Sequence, residues 1–416
     1  MRYARFFLLC GLIIFSATFA LAAAISLSSP PDKLVSKNDA VAVSGSAPGL
    51  SQVSINGKII KVASDGKFGA EAVFSPGKNL ISVKNGEKAP AIPRRILYLV
   101  SFPDLGSGKG YWAQKEIEEL ATLDIVEGYP DGGFHPAPPV TRGELATWLA
   151  KGRRLNAAEK LEVDPFPDVP KEHWRAPYIK AAVDADFISL YQAGTFGIED
   201  AITRAEAAEV MRRYSDLKEV ERLSQSPFID VNEKSTFVNA IAAAKKQGLF
   251  KGYSGRGWVF GPEDQLRRGD AALMLARDPL ISYDINNLHD WRTGFLAANT
   301  RISAAPRIVT VYVTPGKVLA DSKTPVEFSA AVTDPAGLDN IDKVTVDLRK
   351  LGGPPEALMA DDGTNGDTAG GDGTFTAEYV VPEGTEKGEV ELAISVSNKS
   401  GEHVGGKIFL TVLEPQ

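Results

Sequence analysis

Three arginines recur along the chain at a nearly fixed interval, with Arg142 and Arg204 separated by 62 positions and Arg204 and Arg268 by 64. A guanidinium is planar and grips a carboxylate at two points, so a repeated arginine suits the holding of an acidic polymer. Other elements keep the same beat. Phe102-Pro-Asp104, Phe166-Pro-Asp168 and Phe228-Ile-Asp230 lie 64 and 62 positions apart by their phenylalanines. Trp112 and Trp174 follow the first two, and Phe237 stands where a third tryptophan would fall. Gly128-Tyr129-Pro-Asp-Gly132 and Gly252-Tyr253 are turn chemistry, with glycines that admit positive φ and let a ligand approach the backbone. A period this steady means that one structural unit was used three times.

Local rules separate structural residues from candidate functional ones. Thr141 with Glu144, and Thr203 with Glu206, have the spacing of a capping box, in which hydroxyl and carboxylate each satisfy one amide of the helix start. The arginine between them has no capping duty and is free to face a groove. Asp104, Asp168 and Asp230 either line that groove or cap the turn ahead of the first helix. Trp112, Glu116, Ile117, Leu120 and Ala121 form one helical stripe, a spacing that turns Trp112 and Trp174 toward the core.

In order, Phe-x-Asp, tryptophan, Gly-Tyr-x-Asp-Gly-x-Phe-x-Pro and Val/Ile-Thr-Arg-x-Glu resemble the S-layer-homology (SLH) module, in three tandem copies over residues 102 to about 278. The resemblance implies a pseudo-threefold body with a central helical bundle and clefts between lobes that hold cell-wall polysaccharide or peptidoglycan-linked glycan. It also implies that Arg142, Arg204, Arg268, Asp104, Asp168, Asp230, Trp112 and Trp174 line the clefts. Copy two departs from the pattern with Ser189-Leu190-Tyr191 in place of Gly-Tyr. Copy three has Arg267 for the capping threonine, Asp270 for the glutamate and Phe237 for the tryptophan.

Other chemistries find less support. Asp361, Asp362, Asn365, Asp367 and Asp372, spaced by glycines, present hard oxygens suited to Ca²⁺, although the spacing is not that of an EF-hand and a turn with Asx bonds gives the same composition. No other cofactor is indicated. His135, His173, His289 and His403 are scattered, and neither a nucleophile elbow nor a complete phosphate loop occurs, so catalysis is not expected.

The elements around these residues give a multidomain α and β chain: a β-sandwich, a helical repeat body and a second, immunoglobulin-like β-sandwich. Residues 1–24 read as a secretory signal peptide, with Arg2 and Arg5 ahead of an apolar run and small residues at its end. Cys10, the chain's one cysteine, lies there, so the mature chain has no disulfide. Residues 30–100 alternate with period two around Asn56-Gly57 and Asp65-Gly66, the pattern of a small sandwich. Residues 101–280 hold the repeats, at 102–155, 166–217 and 228–278. Residues 281–304 are a connector whose Trp291 and Phe295 are expected to pack on the preceding domain, and residues 305–416 resume the alternation. That last region carries 9 Lys or Arg against 18 Asp or Glu, a net of −9, and no basic excess that would mark a nucleic-acid surface. No segment after the leader is long and apolar enough to span a membrane. The expected partners are a wall glycan and other envelope proteins. The expected role is non-enzymatic attachment to the wall, with a surface adhesin as the alternative and a glycan hydrolase as a weaker one.

Overall fold

The computed structural model describes residues 25–86, 89–106, 112–157, 160–218, 220, 225–253, 257–364, 366–367 and 369–413. The leader at 1–24 and Asn365 lie outside these residues.

Alternating side chains build the first region. Strands β1 (Ser26–Ser29), β3 (Ala40–Ser46) and β6 (Lys67–Phe74) form one sheet, and β2 (Leu34–Ser36), β8 (Ile92–Tyr98), β7 (Gly77–Lys84), β4 (Gln52–Ile55) and β5 (Lys58–Lys61) form the other, in that order. Asn56 and Gly57 take φ values of 47° and 89°, the turn expected between β4 and β5. Val43, Phe68 and Ala70 on one sheet meet Ile55, Ile81 and Ile96 on the other, all buried.

Among the described residues, six α-helices form the middle: α1 (Gln114–Thr122), α2 (Arg142–Gly152), α3 (Ala176–Asp184), α4 (Arg204–Tyr214), α5 (Val238–Lys246) and α6 (Arg268–Ala276). Each unit contributes two helices, and packing runs across units. The second helix of one unit lies on the first helix of the next, α2 on α3 and α4 on α5, and α6 returns to α1. Trp148, Phe134, Phe196 and Phe260 are fully buried in the shared core.

A seventh helix, α7 (Pro279–Leu288), locks the ends of α2, α4 and α6 together. Asp278, its N-cap, is fully buried and accepts bonds from both terminal nitrogens of Arg153 (2.8 and 3.0 Å), from Ser215 (2.6 Å) and from the Leu280 and Ile281 amides. Arg153 caps α2 and Ser215 caps α4, so this carboxylate joins all three units. Burial opposes its charge, but Arg153 and Ser215 hold it below the ordinary carboxylate value.

The connector at 281–304 is corrected by these contacts. Its first part is α7, and its end is β9 (Thr300–Ser303), which pairs antiparallel with β6 and completes the first sandwich's smaller sheet. Trp291 and Phe295 stack on each other at 5.2 Å and pack on that sandwich, where Lys78 lies 5.2 Å over Phe295 and Arg95 donates to the Trp291 carbonyl. The sequence pattern missed β9 because four residues are too few to show alternation.

The last region again has two sheets: β10 (Arg307–Thr314), β12 (Pro325–Thr333) and β15 (Thr374–Val380), facing β11 (Lys317–Leu319), β17 (His403–Leu413), β16 (Gly388–Asn398), β13 (Ile341–Val346) and β14 (Ala357–Met359). A short strand pairs parallel with the last strand of the five-stranded sheet in both sandwiches, β2 with β8 and β11 with β17. Lys58 reaches Glu402 (3.0 Å) and Arg307 reaches Glu71 (3.6 Å) from one sandwich to the other.

Two outcomes follow for stability. Ile302→Ala should cost about 2 kcal/mol and strip hydrogen-exchange protection from the amides of β6, over two hundred residues earlier in the chain. Asp278→Asn should cost about 3 kcal/mol at neutral pH, because it leaves Arg153 buried without its charge partner. A carboxyl held low in the folded state contributes its full share above its unfolded value and loses it as pH falls through the depressed one. The Asp278→Asn penalty in urea titrations should therefore shrink below about pH 4.

Candidate functional site

The helix starts behave as local chemistry dictates. The Glu144 amide donates to the Thr141 hydroxyl (3.1 Å) while the Thr141 amide donates to the Glu144 carboxylate (3.0 Å), and Thr203 with Glu206 repeats this at 3.2 and 2.8 Å. At the third start, Arg267 has no capping bond and instead binds Asp270 at 2.8 Å.

Each arginine is the first helical residue, and its side chain crosses into another unit. Arg142 donates from Nε to the Phe196 carbonyl (2.7 Å) and from Nη2 to the Ser189 carbonyl (2.6 Å). Arg204 does the same with Phe260 (2.7 Å) and Lys251 (3.1 Å). Arg268 returns to the first unit, at Phe134 and Glu127 (both 3.0 Å). The three contacts close a ring.

The aspartates meet the same phenylalanines from the other side. Asp168 accepts the amides of Phe196 and Gly197 (2.7 and 2.6 Å), Asp230 those of Phe260 and Gly261 (2.8 and 2.7 Å), and Asp104 those of Phe134 and His135 (3.0 and 2.7 Å). One residue in each loop thus has its N–H held by its own unit's aspartate and its C=O by the arginine of the unit before it. The arginine and aspartate positions come together in pairs, joined through a peptide rather than through an open groove. The aspartates cap a loop about thirty residues downstream, and not the turn ahead of the first helix.

The expectation that the arginines are free is corrected. Arg142 and Arg204 are 5% exposed and Arg268 is 1% exposed. An aromatic face covers each: Tyr191 over Arg142 (4.4 Å), Tyr253 over Arg204 (4.8 Å) and Tyr129 over Arg268 (4.6 Å). The capping argument overlooked the unpaired carbonyls of the neighbouring loop, which need donors once buried.

Charge separates the three junctions. Arg268 Nη1 pairs with Glu144 at 2.6 Å, and Glu144 also accepts the Tyr129 hydroxyl at 2.6 Å. Burial opposes the Glu144 charge, but Arg268 and these bonds hold its carboxyl below its usual value. Burial and this bond push the Tyr129 phenol up to about 12, so it stays a donor. Arg142 and Arg204 are each lowered by burial, partly offset by nearby Tyr191 and Tyr253 respectively. Their Nη1 groups make no hydrogen bond among the described residues.

The remaining predicted positions fall as follows. Trp112 and Trp174 are 49% and 54% exposed, which corrects their assignment to the core. Each precedes its helix by two residues, so the helical stripe does not extend to it. Arg175 stacks on Trp174 at 4.2 Å, and Arg267 lies 6.0 Å over Trp112. At Gly128 a Cβ would lie 2.6 Å from the Phe102 ring, and at Gly252 2.3 Å from the Gly257 carbonyl, so the space these glycines leave is filled by their own units. The carboxylates of Asp361, Asp367 and Asp372 converge within 4.8 Å, but backbone amides of 363, 369 and 371–373 already bind Asp361 and Asp367. Asp362 turns to Thr364. Sequence reasoning missed the three tyrosines, although their spacing of 62 and 62 was available, and it missed Trp148, buried against Arg268 at 5.0 Å.

Comparison with known proteins agrees with the repeats. The model of the S-layer homology domain matches residues 101–146, 165–208 and 227–272. The chain is similar to the exoglucanase XynX of Acetivibrio thermocellus, 33% identical over 180 residues that make up 42% of this chain and 16% of that protein. A cellulosome-anchoring protein of the same organism is 29% identical over 37% of this chain and 35% of its own length. The surface-layer 125 kDa protein of Lysinibacillus sphaericus is 25% identical over 42% of this chain and 14% of that protein. The chain thus spans well under half the length of each of these relatives.

Arg268→Ala takes the close charge partner from the buried Glu144 carboxylate and leaves it Arg175 at 3.9 Å, a loss of about 3 kcal/mol. In thermal melts followed by circular dichroism it should fall further than Arg142→Ala or Arg204→Ala, which leave uncharged carbonyls behind.

Proposed function

We propose that this chain, with its three S-layer homology domains, is a secreted, non-enzymatic envelope protein that grips an acidic wall glycan at the Arg142 and Arg204 junctions. It is a cell-surface, wall-associated protein, and its repeats are modules of wall attachment. The observation that carries the finer reading is that Nη1 of Arg142 and of Arg204 makes no hydrogen bond or ion pair among the described residues, whereas Arg268 Nη1 is neutralised by Glu144. A guanidinium fixed at Nε and Nη2 offers its remaining N–H groups at a set angle, already ordered before a ligand arrives.

Several further features support this reading. Trp174 is exposed just ahead of α3 and offers an aromatic face, with Arg175 over its ring at 4.2 Å. The cyclic contacts among the units are those a pseudo-threefold body would make. The two flanking sandwiches, which we read as immunoglobulin-like, then act as spacers or as surfaces for other envelope proteins. The exoglucanase is matched over only 16% of its length, so its name says nothing of this chain's chemistry.

The Arg142→Ala/Arg204→Ala double variant, shown to be folded by its melting curve, should sediment with purified wall fragments at least about tenfold less well, from the loss of charge-assisted bonds. Sedimentation equal to that of the unaltered protein would refute the assignment.

A further inference from the structure

The loop of the first unit differs from the other two at three coordinated positions. Counting from Phe134, Phe196 and Phe260, the residue after the phenylalanine is His135 in the first loop and Gly197 and Gly261 in the others. All three have positive φ, at 54°, 75° and 69°. Histidine tolerates this region less well than glycine, at a cost of roughly 1 kcal/mol. The residue before the phenylalanine is Gly133, against Thr195 and Val259. A Cβ on Gly133 would sit 3.1 Å from His135 Cε1 and 3.2 Å from Nε2, so the bare position is what lets the imidazole lie across the loop. Two residues further back, Asp131 stands where the others have Ala193 and Gly257.

Together these make a small polar face. His135 Nε2 lies 2.7 Å from an Asp131 carboxylate oxygen, while Nδ1 is 3.8 Å from Asp104, beyond hydrogen-bonding reach. With Nε2 donating to Asp131, Nδ1 is an acceptor with no hydrogen bond among the described residues. The Tyr129 ring lies 5.1 Å from the imidazole and is 37% exposed. Asp104, Asp131 and Glu144 surround the face with negative charge, and the nearby guanidiniums are already engaged, Arg268 with Glu144 (2.6 Å) and Arg175 with Glu127 and Glu144 (3.4 and 3.9 Å), so an anion is disfavoured. A metal is disfavoured too, because among the described residues the set of three acid or histidine groups whose ligand atoms all lie within 4.8 Å of one another is Asp361, Asp367 and Asp372, and not this face.

We infer that the first loop is a subsite for a neutral sugar, in which one pyranose hydroxyl donates to His135 Nδ1, a neighbouring hydroxyl donates to Asp131, and the C–H face rests beside Tyr129. This rests on the reading of the chain as a glycan binder, but it involves none of the arginines proposed to hold acid groups.

The probe is a methyl glycoside of N-acetylglucosamine, titrated into the whole mature chain while the four histidines are followed by proton–carbon NMR. The His135 signals, assigned by their loss in His135→Gly, should move with a Kd of about 1 mM, and those of the other three should stay still. His135→Gly installs the residue the sister loops carry, so it should fold. Gly133→Ala, whose Cβ displaces the imidazole, should weaken binding about fivefold, the worth of one hydrogen bond. Stationary His135 signals, or shifts that survive Gly133→Ala unchanged, overturn the inference. The shifts should persist in the Arg142→Ala/Arg204→Ala variant, so a failure of the acid-binding assignment would leave this result standing.

Discussion

The structure depends on a buried guanidinium that serves as donor to another unit's backbone. The loop between the two helices of each unit carries a phenylalanine whose side chain must enter the core, and this drags its carbonyl out of water. An unmet buried carbonyl costs on the order of 1–3 kcal/mol, and no helix or strand supplies a partner there. A long donor from the preceding helix start meets the need, so the units cannot be satisfied singly. Each loop is complete only when the arginine before it arrives, and the third arginine must come back to the first loop. Ring closure therefore follows from hydrogen-bond accounting as well as from apolar packing.

A second dependency ties the ring to the rest of the chain. Both ends of the helical body meet the first sandwich: the entry follows β8 directly, and the exit passes through α7 and the stacked Trp291 and Phe295 into β9. Because β9 belongs to that sandwich's sheet, the body is an insertion into it and not one bead on a string. Lys37 with Glu118 (2.7 Å) and the Val100 amide with Thr122 (2.9 Å) stiffen the same junction. Load passing from the last sandwich toward a wall-bound body would cross a paired strand before it reached a flexible segment.

Much of this was legible in the residues. The period gave the three units, the Thr-x-x-Glu spacing gave two capping boxes, and the alternation gave both sandwiches with the Asn56-Gly57 turn between its strands. Long-range satisfaction was not legible. Nothing near Arg142 in the chain shows that its partners are Phe196 and Ser189, because the pairing is fixed by helix packing 54 and 47 residues away. Trp112 misled for a different reason: a helical stripe is informative only inside the helix, and the helix starts at Gln114. Asp278 looked like the end of a repeat, yet it is where three helix ends meet.

A residue that braces a fold and also touches a ligand faces a conflict, since the donors used for one purpose are lost to the other. Arginine resolves it in a way that lysine cannot. Its five N–H groups are fixed in one plane, so an edge bound to carbonyls can hold the plane while another edge remains for a carboxylate. Lysine has three donors on a rotating head and fixes no direction. The cost of this solution is that the outer edge is easily taken by a local acid, as Glu144 does with Arg268. Glu206, the counterpart of Glu144 at the next helix start, instead turns both to the Thr203 amide and to the Thr203 hydroxyl (2.8 and 2.9 Å); it makes no ion pair with an arginine among the described residues and acts on Arg142 only through its field. Asp270, at the third start, is held by Arg267. Where the capping acid turns thus distinguishes the Arg268 junction, where it takes Nη1, from the Arg142 junction, where it stays on its own threonine.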